Sequence, residues 1–284
     1  MTAWLERRVI AFAHQGGSFE GPSSTLWAMA RALAAGASAL ELDVHATRDR
    51  QLVVSHDATV DRTTSGAGAI GDLTLAELRE LDHAYWWIEG ADVTPGREPA
   101  AYPLRGRAPA DRRLGVATLG EVLEAFPGVL LNLDIKATDP EVEPYEELLA
   151  ETLVAHRAGA RVIVASFHDR ALERFRQRAP EVATSAGTDE ATAFYRAHLA
   201  GEVGAWPFVA LQVPPRVGGI EVVTPAFVDA AHRAGVAVHV WTLNERPAME
   251  AALAAGVDGV ISDRPTVLAA LLAERAVAWD GLGR

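Results

Sequence analysis

Short, nearly continuous apolar runs alternate along this chain with stretches in which apolar residues recur every three or four positions. The runs are RVIAFA (8–13), ALELDV (39–44), VLLNLDI (129–135), RVIVAS (161–166), VATSAG (182–187), FVALQV (208–213), VAVHVW (236–241) and GVISD (259–263). Runs of this length and composition are the pattern of parallel strands buried on both faces. Helical spacing covers 25–35, 119–126, 141–158, 169–178, 188–200, 225–234, 246–255 and 265–277. Eight strands alternating with eight helices predict an α/β fold, a (β/α)8 TIM barrel, with residues 1–284 as one domain.

The alternation breaks once. LVVSHD (52–57) follows the second strand after only TRDRQ, which is too short for a crossover helix. This predicts a β-hairpin extending past the top of that strand. Residues 58–117 then form an excursion rich in Gly, Pro, Arg and aromatics, with one short helix at 73–81. A long irregular segment inside a compact domain is commonly functional, often a lid.

Composition narrows the chemistry. The chain has no cysteine, so disulfides, thiolate metal sites and a Cys nucleophile are excluded. With 26 basic and 38 acidic residues the formal charge is −12. That balance argues against nucleic acid as a partner and suits a divalent cation held by carboxylates. No apolar run approaches the roughly 20 residues of a membrane span. MTAWLERRVIAFAH carries Glu6, Arg7 and Arg8 before a short apolar run and lacks a signal-peptide h-region, which leads us to expect a cytoplasmic protein. No sequence feature specifies an oligomeric state.

Barrel active sites lie at the C-terminal ends of the strands. The polar residues there are His14, Glu41, Asp43, Asn132, Asp134, Lys136, Ser166, Gln212, His239 and Trp241, with His56 and Asp57 returned by the hairpin. Glu41 and Asp43 are two apart and point to the same side of a strand. Carboxylates gathered inside a barrel need a cation or a proton. With Asp134 as a third oxygen donor they suit Mg2+ or Ca2+ rather than Zn2+. The alternative is that they pair with Lys136 or Arg48. Asp134 and Lys136 also share a face, and an ammonium beside a metal makes a site for an anion such as phosphate; the alternative is an ordinary Asp–Lys pair. His14 and His56 are the candidate acid–base pair. His45, His83, His156, His168, His198 and His232 are expected on helices or loops facing solvent. His239 and Trp241 are expected to point inward, His239 as a core residue. GxSxG and Walker motifs are absent.

The order His-x-Gly, Glu-x-Asp, His-Asp, acid-x-Lys resembles the glycerophosphodiester phosphodiesterases. LELDVHATRDRQLVVSHDATVDRTTSGAG is similar to that family's most diagnostic block. VATLGEVLEAFPGVLLNLDIKA is similar to the next block, with Ala117 where Pro is common, and VHVWTLNE and GVDGVISDRPTVL are similar to the closing ones. The resemblance implies a TIM barrel with a small inserted subdomain. It implies that Glu41, Asp43 and Asp134 ligate one Mg2+ or Ca2+, that His14 and His56 transfer protons, that Lys136 holds a phosphate oxygen and that Trp241 lines the pocket. Gln15, Lys136, Gln212 and Trp241 form the expected substrate-binding set. The implied reaction releases an alcohol and sn-glycerol 3-phosphate. The alternative is a lysophospholipase D whose acyl wall comes from AYWWIEG (84–90), AAYPLRG (100–106) or LQVPP; the plainer reading of those aromatics is packing of the excursion onto the barrel. A non-enzymatic phosphate binder is the third reading.

Three positions depart from the family. Asp134 stands where Glu is usual, Gln15 where Arg is usual, and Ser23-Ser24 replace Glu-Asn. Ser23 or Ser24 is expected to cap the following helix. The paired loss of Arg and Glu fits two groups that restrain each other, so that either alone leaves an uncompensated charge. Gln15→Arg is therefore expected to lower the melting temperature, and adding Ser23→Glu to restore it. Equal melting temperatures for the two variants would contradict this coupling.

Overall fold

The computed structural model describes Trp4 and residues 9–91, 93–108, 110–136, 142–202 and 204–277. Eight parallel strands form the barrel: β1 (Ile10–His14), β2 (Ala39–Ala46), β5 (Leu130–Ile135), β6 (Val162–Ala165), β7 (Ala183–Thr184), β8 (Ala210–Val213), β11 (Ala237–Val240) and β12 (Gly259–Ser262). β1 pairs with both β2 and β12, and a single parallel bridge from Ser185 to Ala210 closes the seam between β7 and β8. The fifth strand is shorter than the 182–187 run because only Ala183 and Thr184 pair with β6.

Helices α1 (Leu26–Ala34), α3 (Leu119–Ala125), α4 (Glu146–Ala155), α5 (Asp169–Arg178), α6 (Thr188–Ala200), α7 (Pro225–Arg233), α8 (Arg246–Ala255) and α9 (Pro265–Glu274) wrap the sheet. The fourth helix begins at Glu146 rather than 141, after Pro144 and the N-cap Tyr145; residues 137–141 lie outside the described residues. Thr25, not Ser23 or Ser24, caps α1 by accepting from the Ala28 N–H. Ser24 instead takes a left-handed backbone, and its hydroxyl is buried without a partner.

The hairpin after β2 is present. β3 (Leu52–Val54) runs antiparallel to β2, and β4 (Ala117–Thr118) adds to it in turn. The excursion between them holds α2 (Leu75–Arg79), opened by a Thr74–Glu77 capping box. Its aromatics pack. Trp87 is buried and donates to the Ser18 carbonyl, and the Arg105 guanidinium sits within 4.7 Å of the ring centroids of Tyr85, Trp86 and Tyr102. A second small hairpin, β9 (Arg216–Val217) with β10 (Ile220–Glu221), follows β8 and had no counterpart in the apolar pattern.

Strand parity organises the interior. Ile10 and Phe12 of β1 face the barrel axis with Ala39, Leu130, Ile163, Ala210, Ala237 and Ile261, over Trp4. Ala11 and Ala13 face the helices. The same inward parity, carried two residues further, raises a polar layer on the apolar one. Glu41 pairs in register with Asn132, Asp43 with Asp134, and Gln212 with His239. His239 is fully buried, as expected of a core residue. His45, expected at the surface, is buried on β2, and burial lowers its pKa.

Burial depresses the His239 pKa from 6.5 to about 3. The unfolded chain therefore binds a proton that the folded chain refuses, and this contribution to stability is lost as pH falls from about 6.5 towards 3. Urea unfolding at pH 7 and pH 5 should show an extra loss of about 2 kcal/mol in the wild type relative to His239→Leu. Parallel pH dependence in the two proteins would show that His239 is not buried neutral.

Candidate active site

The polar layer opens into a cavity of about 610 Å3 at the C-terminal end of the strands. His14, Glu41, Asp43, His56, Asp134 and Lys136 line one side of it. The turn after β1 lets His14 reach that floor. Gln15, Gly16 and Gly17 all have positive φ (53°, 79° and 91°), and a Cβ on Gly17 would lie 2.8 Å from Pro265. The chain thus reverses over α1 with glycine where no side chain fits.

Asp43 is 1 % exposed, Glu41 6 % and Asp134 7 %. Burial first, and then repulsion from Asp43, raises the Glu41 pKa to about 8 and that of Asp134 to about 6. The Lys136 ammonium sits 3.1 Å from Asp43 Oδ1 and 3.4 Å from Asp134 Oδ2. Burial opposes the ammonium, but Asp43 and Asp134 outweigh it and raise its pKa. The pairing alternative therefore holds for Lys136. It does not hold for Arg48, which pairs with Glu77 at the surface.

Lys136 does not satisfy the acids. Asp43 Oδ2 and Asp134 Oδ1 are buried without a partner. Among the described residues no group of three carboxylates or imidazoles is already arranged as a metal cage. The donor set is nevertheless hard oxygen, with two lone oxygens unmet, and its chemistry fits Mg2+ or Ca2+.

The two imidazoles stand edge to face with ring centroids 6.0 Å apart. His14 donates through Nδ1 to Asp263 Oδ1 at 2.6 Å, and its Nε2 lies 3.7 Å from Glu41 Oε2. Burial alone would lower its pKa; Glu41, Asp263 and Asp43 together raise it to about 9. His56 donates through Nδ1 to Asp57 Oδ1 at 2.7 Å, and Arg62 holds the same carboxylate. The Lys136 ammonium approaches His56 Nε2 at 3.5 Å.

Gln212 lies on the cavity wall, tied to Asn132 by two amide bonds of 3.0 and 3.2 Å. Trp241 lines the cavity edge-on to Phe167. Gln15 does not line it: the residue is buried in the turn, and its amide nitrogen lies 3.3 Å from His14 Nε2. Gln15 lies just past the end of β1 with a left-handed backbone, which brings its amide back beside the imidazole without exposing it to the cavity.

Apolar side chains also line the cavity: Phe167, whose ring centroid lies 6.0 Å from the Lys136 ammonium, with Tyr195, Val213, Val217, Ile220 and Trp241. None of the described residues of 58–117 lines the cavity, so the excursion is not the lid that its length led us to expect. It packs instead against the turn after β1, where Gly90 N–H donates to the Phe19 carbonyl, and against α1, where Glu89 pairs with Arg31.

The sequence model of the Glycerophosphoryl diester phosphodiesterase family matches residues 14–267. The chain belongs to this family. It is 33 % identical to the probable glycerophosphodiester phosphodiesterase 2 of Mycobacterium tuberculosis, over 96 % of this chain and 93 % of that protein. It is 31 % identical to the glycerophosphodiester phosphodiesterase of Caldanaerobacter subterraneus subsp. tengcongensis, over 92 % of this chain and 96 % of that one. Its fold matches a phosphodiesterase of Oleispira antarctica, solved with the product sn-glycerol-3-phosphate, with a TM-score of 0.67 and 22 % identity over 96 % of this chain and all of that one. The chain is thus a phosphoric diester hydrolase of the glycerophosphodiester phosphodiesterase type, built on a TIM barrel.

For this phosphodiesterase the candidate residues His14, Glu41, Asp43, His56, Asp134, Lys136, Gln212 and Trp241 gather in one cavity, and Gln15 stays outside it. Sequence reasoning passed over Asp263, Asn244 and Phe167. Asp263 was legible: it follows Ile261 by two on the last strand, so it shares the inward parity. Phe167 and the β9–β10 hairpin lie beyond strand ends, where no periodicity signals them.

Proposed function

We propose that the protein hydrolyses glycerophosphodiesters to an alcohol and sn-glycerol 3-phosphate, with His14 and His56 as the proton-transfer pair. The observation that carries this reading is the arrangement of the two imidazoles. Each gives its Nδ1–H to a carboxylate, so Nε2 is the atom each ring can use for proton exchange, with Gln15 beside it in His14 and Lys136 beside it in His56. A phosphodiester bound between them has one ring near the attacking oxygen and the other near the leaving oxygen. One accepts the proton of the nucleophile; the other returns a proton to the alcohol as the phosphorus–oxygen bond breaks. Lys136, held by Asp43 and Asp134, offers its ammonium to a non-bridging phosphate oxygen. Gln212 orients the substrate from the wall. Glu41, Asp43 and Asp134 would hold one Mg2+ or Ca2+, which when bound supplies Lewis-acid neutralisation of phosphate charge.

The apolar wall favours a second substrate for the same chemistry. Phe167, Val217 and Ile220 are 55 %, 56 % and 55 % exposed at the cavity. A lysophospholipid acyl chain would cover surface that glycerophosphocholine leaves wet. This wall replaces the one expected from residues 84–106, and the LQVPP stretch does contribute to it through Val213 and Pro214.

Turnover should be measured with Mg2+ or Ca2+ on glycerophosphocholine and on its long-chain lyso form. His14→Ala and His56→Ala should each cut kcat by roughly a hundred- to ten-thousand-fold. Val217→Asp combined with Ile220→Asp should reduce turnover of the lyso form and spare glycerophosphocholine. Normal turnover in either His variant would overturn the proton-transfer assignment. A lyso activity indifferent to the hairpin variants would remove the second reading.

A further inference from the structure

We infer that Asp263 is the positioning residue for His14, fixing its ring orientation and its tautomer so that Nε2 faces the substrate. The inference rests on the proton-transfer role proposed for His14. Asp263 lies just beyond β12, 249 residues from the histidine, and reaches it because β12 and β1 are neighbours in the barrel. Its carboxylate is 7 % exposed and met on both oxygens. Oδ1 accepts from His14 Nδ1 and from the Ser18 hydroxyl, each at 2.6 Å. Oδ2 accepts from Asn244 Nδ2 at 2.6 Å, and Asn244 Oδ1 in turn accepts from the Asp263 backbone N–H at 2.9 Å.

A buried anion this fully bonded has one low-energy orientation. Once the ring has given up one proton it has two tautomers of similar energy, and an acceptor-only partner at Nδ1 selects the Nδ1–H form. Nε2 is then left as the atom that exchanges a proton with substrate. Without Asp263 the ring is free to turn its other edge towards Glu41, whose Oε2 already lies 3.7 Å from Nε2. His56 has a comparable partner in Asp57, the next residue along the chain. Asp263 does the same for His14 from the far end of the sequence.

Asp263 also touches the turn after β1, where Phe19 N–H donates to its carbonyl. A purely structural clamp is therefore the competing explanation, and ring-proton spectroscopy separates the two. Asp263→Asn keeps shape but can present an N–H to Nδ1, which favours the opposite tautomer. kcat should fall by roughly a hundred- to ten-thousand-fold, with KM changed by less than about threefold. At a pH high enough for the His14 ring to be neutral, its nitrogen-15 spectrum should show Nδ1 protonated in the wild type and that proton moved to Nε2 in the variant. Asn244→Ala, which loosens Asp263 without removing it, should give a smaller kcat loss in the same direction. Wild-type kcat in Asp263→Asn overturns the inference, as does lost activity with the His14 tautomer unchanged. Should Asp263→Asn not fold, wild-type kcat and an unchanged ring signal in Asn244→Ala overturn it equally. An active His14→Ala would defeat the proton-transfer role itself; an inactive His14→Ala beside a fully active Asp263→Asn would defeat only the positioning role.

Discussion

Three carboxylates buried around one ammonium constrain everything at the top of this barrel. Glu41, Asp43 and Asp134 lie on adjacent strands whose register sets Asp43 directly beside Asp134. Unionised they could give little to a phosphate chemistry; ionised, they repel each other in a site from which water is largely excluded. Lys136 offsets part of that repulsion, and two oxygens remain unmet. A polar cluster with unmet acceptors destabilises the fold that carries it. The large apolar clusters between the barrel and its helices supply the stability that the polar cluster withholds.

The site inherits its geometry from strand parity. One alternation runs from Ile10 through Phe12 to His14, and from Leu130 through Asn132 to Asp134 and Lys136. The lower positions close the barrel with hydrocarbon, and the upper ones gather the chemistry. Because the strands are stiff and buried, the histidines and acids need no loop closure to meet. The loops add apolar lining: Phe167 and the β9–β10 hairpin join the polar floor in one cavity.

This division explains how much could be read from the chain. Strands buried on both faces leave unbroken apolar runs, and a residue two past a core position stays on the same face, so the barrel was legible from spacing, and eight of the nine residues named from spacing and motif line one cavity. Gln15 does not line the cavity because it lies past the strand end in a left-handed turn that folds its amide against His14. His45 was misplaced because the second strand runs two residues past its apolar run. The excursion misled through its length: its aromatics look like a lid in sequence, but they are spent on caging Arg105 and packing on α1. A cation–π cage and a short exposed hairpin have no periodic signature.

We propose that the acid cluster is a cation site maintained at a cost to stability. Thermal unfolding of the wild type and Glu41→Gln, each with and without Mg2+ or Ca2+, tests it most directly. The cation-free variant should melt above the cation-free wild type at pH 7, because the folded wild type must keep protonated a buried carboxyl that the unfolded chain ionises. The wild type should gain stability with cation concentration, by about 2.7 kcal/mol at a hundredfold excess over Kd, and the variant much less. A wild-type melting temperature that does not move up to millimolar cation, or an equal gain in both proteins, would contradict it.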